Sequence, residues 1–190
     1  MVEEARLESV ESGLVPAGDG WFVVNVRDAA WLTNDAFGTR CIFEADTPVV
    51  RGTELTERTF ADLGIRLTVV EPGQPTTLYH AESSQEDFLV LSGECVAIVE
   101  GEERHLRAWD FVHCPPGTGH AFVGAGDGPC VIFSVGARSE DGTIVYPPSE
   151  AAGRHGAAVE EETSSPKVAY AKFDHWQRGR PRNWDALPWG

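Results

Sequence analysis

PGQPTTLYHAESSQEDFLVLSG, residues Pro72 to Gly93, holds a histidine and two carboxylates, His80, Glu82 and Glu86, between two turns. Pro72-Gly73 and Ser92-Gly93 are turn dipeptides, and the aromatic and branched run Phe88-Leu89-Val90-Leu91 reads as a buried strand. In extended chain, side chains two apart share a face. His80 and Glu82 therefore point one way, and Glu86 points with Phe88 and Val90. A carboxylate among apolar neighbours needs a partner, a proton or a metal ion.

Asp110 to Phe122, DFVHCPPGTGHAF, answers that need. It runs from a short strand through Pro115-Pro116-Gly117 into a new strand that opens with His120. Together the two stretches resemble the two motifs of the cupin superfamily. The first motif is matched by Gly73, His80-x-Glu82, Glu86 and Gly93, and the second by Pro115-x-Gly117 and His120. There are departures. Glu82 stands where a second His is usual, and the gap from Gly73 to His80 is one residue longer than the pattern. Trp109 replaces the Gly of the second motif, and Gly124 replaces its Asn. The resemblance covers residues 60 to 136 and implies an all-β fold, a double-stranded β-helix or jelly-roll barrel. It leaves the reaction open, because the superfamily hosts many chemistries on one barrel.

The rest of the chain fits this frame. Its 190 residues suffice for one domain with extensions. A formal charge of -15 argues against nucleic acid or an anionic membrane as partner. No apolar run reaches membrane-spanning length, and the acidic start MVEEARLESVES is unlike a signal peptide. Cys41, Cys95, Cys114 and Cys130 form no Cys-x-x-Cys pair and suit buried strand positions in a reducing cytoplasm.

Four segments are expected. Residues 1–57 are an N-terminal arm with added strands, among them Trp21 to Val26 and Arg40 to Phe43, with a helical turn within Arg27 to Phe37. Residues 58–148 are the barrel, where short strands alternate with Gly and Pro turns and Glu100-Gly101-Glu102 closes a hairpin. Residues 149–166 are an acidic linker by composition, and 167–190 hold a strand, Val168 to Phe173, and a tail rich in Trp and Arg. That tail suits docking on its own barrel or on a sister subunit. A homodimer would cover the strand edges of the jelly roll.

By the resemblance, His80, Glu82, Glu86 and His120 are the metal ligands, of which Glu82 suits a solvated loop equally well. Mixed nitrogen and oxygen ligands accept manganese, iron, zinc or nickel. With Glu82 in place of a His, the site with a divalent ion is neutral, which favours manganese or iron over zinc. Tyr79 and Glu82 are candidate catalytic groups, with packing as the other reading of Tyr79. His113 and Cys114 lie on opposite strand faces, and the register decides which one looks inward. Arg66 and Arg107 are candidate anion anchors, although surface charge suits both. Two functions follow. One is an enzyme of isomerase, lyase or dioxygenase type that acts on a small polar molecule at a divalent metal. The other is a barrel that binds or senses a small ligand, with or without metal.

Overall fold

A computed structural model of the protein describes residues 1–18, 20–45 and 60–190. The expected boundary between residues 57 and 58 lies outside the described residues. The barrel strands are β5 (Leu63–Val70), β6 (Ala81–Glu82), β7 (Glu86–Ser92), β8 (Glu94–Val99), β9 (Glu102–Arg107), β10 (Phe111–Cys114), β11 (His120–Ala125), β12 (Cys130–Ala137) and β13 (Ile144–Val145). They are preceded by β1 (Arg6–Val10), β2 (Gly13–Ala17), β3 (Leu32–Asn34) and β4 (Gly38–Cys41), and followed by β14 (Gln177–Arg178).

A seven-stranded sheet in the order β10-β7-β12-β5-β4-β3-β14 faces a three-stranded sheet, β11-β8-β9. All pairings are antiparallel, as short strands joined by tight turns require. Strand alternation sorts the side chains. Phe88, Val90 and Ile132 of the large sheet meet Cys95, Ala97 and Phe122 of the small one in the core. Two glycines make the turns possible. In the β8–β9 hairpin both central residues take positive φ, Glu100 at 50° and Gly101 at 78°, as a two-residue turn of this twist demands. Gly93 has φ 74°, and a Cβ there would sit 2.4 Å from the Pro129 carbonyl oxygen.

The extensions depart from expectation. Within the expected N-terminal arm, Arg6 to Ala17 form the β1–β2 hairpin. Trp21 to Val26 is no strand, and Trp21 makes only an isolated bridge to Glu4. The segment Arg27 to Phe37 holds a turn and then β3, which pairs β4 and extends the large sheet. Residues 149–166 are not a free linker. Ser149 caps a single helical turn, α1 (Glu150–Gly153), and Ala151, Ala152 and Ala157 are buried against Val96, Ile98 and Ala121. Alanine is small enough to bring this backbone down onto the sheet, where the Tyr79 N–H donates to the Ala157 carbonyl at 2.7 Å. Val168 to Phe173 is not a strand either. Pro166 opens a helical turn, α2 (Pro166–Ala169), because its fixed φ suits a first helical position.

The tryptophan tail docks on its own barrel. Trp31, Trp184 and Trp189 pack together with ring centroids 5.4 to 5.7 Å apart. With Leu187 they cover Leu67, Val69 and Val131 on the outer face of the large sheet. Among the described residues, no helix is long and apolar enough to cross a membrane.

Candidate metal centre

The two motifs meet through their backbones. His80 N–H donates to the His120 carbonyl at 3.1 Å, and His120 N–H donates to the His80 carbonyl at 2.9 Å. Residues paired this way across an antiparallel ladder present their side chains together. The two imidazole centroids are accordingly 4.7 Å apart. The Pro115-x-Gly117 turn is tied to the same place, since Gly117 N–H donates to the Glu82 carbonyl at 2.7 Å.

Glu86 arrives from the opposite sheet. It opens β7, lies between Cys114 of β10 and Gly136 of β12, and turns inward with Phe88 and Val90. Gly136 lies directly beside it, and a Cβ there would stand 3.4 Å from the Glu86 Cγ and Oε1, in ordinary contact. The Glu86 Oε2 is 3.3 Å from His120 Nε2 and 3.7 Å from His80 Nε2. All three residues are buried, and a ligand atom from each lies within 4.8 Å of the others.

The protons of this group can be placed by elimination. His80 Nδ1 is 2.7 Å from the Leu78 carbonyl and His120 Nδ1 is 3.0 Å from the Thr118 carbonyl. A carbonyl oxygen only accepts, so each Nδ1 carries a hydrogen and donates. In the neutral rings both Nε2 atoms are then lone pairs aimed towards a carboxylate. Glu86 Oε2 is sealed from solvent and has no aligned hydrogen-bond partner. Lone pairs facing a buried carboxylate oxygen repel unless a positive charge sits among them. A proton is one solution. Burial opposes a charge on His80, but the contact with Glu86 outweighs it and raises the His80 pKa. Burial also works against charge on Glu86, yet the imidazoles of His120 and His80 hold its carboxyl well below the usual carboxylate range. A divalent ion is the other solution. Two imidazole nitrogens and one carboxylate oxygen, backed by carbonyls that fix the ring orientation, are a donor set that fits one.

The structure thus brings together three of the four residues singled out as ligands. Glu82 stands outside the group, half-buried on β6 and paired with Ile144 of β13. It is still near enough for its charge to be felt at His80. Tyr79 corrects an expectation. Strand alternation turns it to the outer face, where it packs with Val96, Ile98 and Ala121 under α1. Its hydroxyl lies against Gly119, 2.3 Å from where a Cβ would be, so Tyr79 has a packing role and does not reach the interior. The register also separates His113 from Cys114. His113 is exposed and pairs with Asp87 at 2.6 Å, whereas Cys114 points inward beside Glu86. Burial first, then the Glu86 charge, pushes the Cys114 thiol up to about 11, which leaves it an inert neighbour.

Tyr146 was not singled out from the sequence. It follows β13, is buried, and lies with its ring centroid 5.8 Å from that of His80, the two planes tilted by 38°. Its hydroxyl shares a hydrogen bond with that of Tyr170. Neither tyrosine lies in a motif, and only the folding back of residues 144–173 onto the barrel brings them here.

Residues 66–136 match the family model described as a cupin domain. Similar solved structures include a protein from Acidithiobacillus ferrooxidans provisionally named a sugar phosphate isomerase. It is 28% identical, with 44% of this chain and 55% of that one covered at a TM-score of 0.42. This chain therefore spans about half of that protein's length. A sugar phosphate isomerase from a cupin superfamily, from Silicibacter pomeroyi, is 24% identical over 66% of this chain and 74% of its own, at 0.43. A cupin 2 domain-containing protein from Halorhodospira halophila is 23% identical over 58% and 73%, at 0.43. No curated protein matches.

Proposed function

From the premise that the chain is a cupin superfamily protein through residues 66–136, we propose that it is an enzyme acting on a small polar molecule at a divalent metal. His80, Glu86 and His120 would hold the ion. The observation that carries this reading is the buried, unpartnered Oε2 of Glu86, flanked by two histidines whose Nδ1 atoms are both committed to carbonyls. Such an ion supplies Lewis acidity towards a carbonyl or enolate oxygen of the substrate.

The chain's own residues complete the site. Phe88 and Phe122 pack beside His120 and keep water from one side of the group. Tyr146 lies against His80 and is placed to hold a proton near a bound substrate. Glu82, whose charge reaches His80, is proposed as the carboxylate that moves a proton, with a fourth ligand position as the alternative. Groups of this kind beyond the ligands favour catalysis over passive binding.

The test is the metal content of protein purified without a nickel column. Wild type should carry about one equivalent, and His120→Ala should lose it. Retention in Glu82→Ala would leave three protein ligands and free Glu82 for proton transfer, while loss would make it the fourth ligand. A wild-type protein that takes up no manganese, iron, zinc or nickel would overturn the proposal and turn the reading to a metal-free binding barrel.

A further inference from the structure

Arg66, a candidate for an anion anchor or for surface charge, lies on the inner face of the large sheet together with Arg40. Register settles this. Arg40 pairs with Thr68 of β5, Thr68 with Ile132 of β12, and Ile132 with Val90 of β7. Ile132 and Val90 belong to the core between the sheets. One row nearer the metal centre, Arg66 pairs with Ser134 and Ser134 with Phe88, whose ring packs on His120. The next row is Gly64, Gly136 and Glu86 itself.

One of the two guanidinium groups is held in place. Arg40 stacks on the Trp176 ring at 3.8 Å and donates one Nη2 hydrogen bond to the Thr76 carbonyl at 3.0 Å. Its Nε is sealed from solvent without a partner. Among the described residues, no carboxylate pairs with Arg40 or Arg66. A buried cation without an anion is costly, and a second cation beside it makes it more so. Burial, then the Arg66 charge, lowers the Arg40 pKa accordingly. The Tyr170 hydroxyl lies close enough to feel both charges, accepts from Leu78 N–H at 3.1 Å and meets the Tyr146 hydroxyl. The Tyr146 ring in turn lies beside that of His80. A continuous polar line thus leads from the arginine pair to the metal centre.

We propose that Arg40 and Arg66, with the Tyr170 hydroxyl, form a subsite for an oxyanion, carboxylate or phosphoryl, at the far end of the substrate whose near end meets the metal centre. This rests on the reading of His80, Glu86 and His120 as the reacting end. The subsite is the part that selects among small polar molecules. A guanidinium fork matches the paired oxygens of either anion, and the stacked, preordered Arg40 loses little freedom on binding. Arg66 stands two strands across and two residues along from Glu86. At about 4.8 Å per strand and about 3.4 Å per residue, their Cα atoms are about 12 Å apart. That span suits a short-chain acid or a sugar-sized phosphate.

The experiment is calorimetric titration of the full chain, freed of metal with EDTA, against inorganic phosphate and against malonate. Wild type should bind one of the two, and the one it binds identifies the oxyanion. Arg66→Gln and Arg40→Gln should each weaken that binding at least about tenfold, with Arg66→Lys falling between. Arg66 is half-buried and makes no hydrogen bond among the described residues, so its variants remain folded and decide the matter if Arg40→Gln does not fold. His120→Ala should lose metal yet keep the anion, whereas Arg66→Gln should keep metal and lose the anion. Failure of one proposal is thereby separated from failure of the other. No heat with either probe in wild type, or equal affinity in Arg66→Gln, would overturn the subsite.

Discussion

The outer face of the large sheet and the space inside the barrel are lined by the same strands, but the first is closed by apolar packing and the second holds charged groups. Outside, Leu67, Val69 and Val131 lie under Trp31, Trp184, Trp189 and Leu187, and Arg27 pins the tail through the Trp189 carbonyl at 2.9 Å. Inside, apolar packing gives way at one end to Glu86, His80 and His120, and towards β4 to an arginine pair. Apolar surface closed by apolar surface is stability. Buried charge without a complement among the described residues is what the proposed sites rest on. Alternation along one strand therefore puts stability on one face and chemistry on the other, as Phe133 and Ser134 of β12 do side by side.

That contrast can be broken from either side. The largest effect should come from Trp31→Ala, which removes the fully buried ring at the centre of the outer cluster. It should cost about 3–5 kcal/mol in urea unfolding while metal bound per folded molecule stays unchanged. Loss of metal with it would mean that the two faces are not independent. Gly136→Ala should do the reverse on a smaller scale. The added Cβ touches the Glu86 Cγ and Oε1 at 3.4 Å and should weaken metal binding only slightly, with little change in the stability of metal-free protein.

The smallest effect sharpens the comparison through pH. In metal-free protein the His80 pKa is raised above its ordinary 6.5. The stability this contributes is full below the unfolded value and is lost as pH rises through the folded one. The melting temperature in EDTA should therefore fall as pH rises above the ordinary histidine value of 6.5. With metal the trend should reverse, because protons compete with the ion for His80. A flat profile in EDTA would mean that no proton bridges His80 and Glu86. Trp31→Ala should preserve the slope of the profile.

How much of this was written in the chain follows from where the signals lie. His80, Glu86 and His120 were legible because turn residues and a period of two mark the strand on which each sits. Of the two readings of Tyr79, catalysis or packing, register selects packing, as its neighbour His80 takes the inner face. The extensions were misread. Composition made residues 149–166 a linker, but Ala151, Ala152 and Ala157 bury themselves because the small sheet offers an apolar outer face to cover.

The sequence by itself determined the barrel, most of its strands and the three residues of the candidate metal centre, since these depend on local alternation and on turns. Only the tertiary structure decided that Tyr146 and Tyr170 line the way to that centre and that Arg40 and Arg66 face inward together. Those relations join residues far apart in the chain, and they arise from strand register and from the way the tail folds back over the barrel. No local pattern of side chains encodes either.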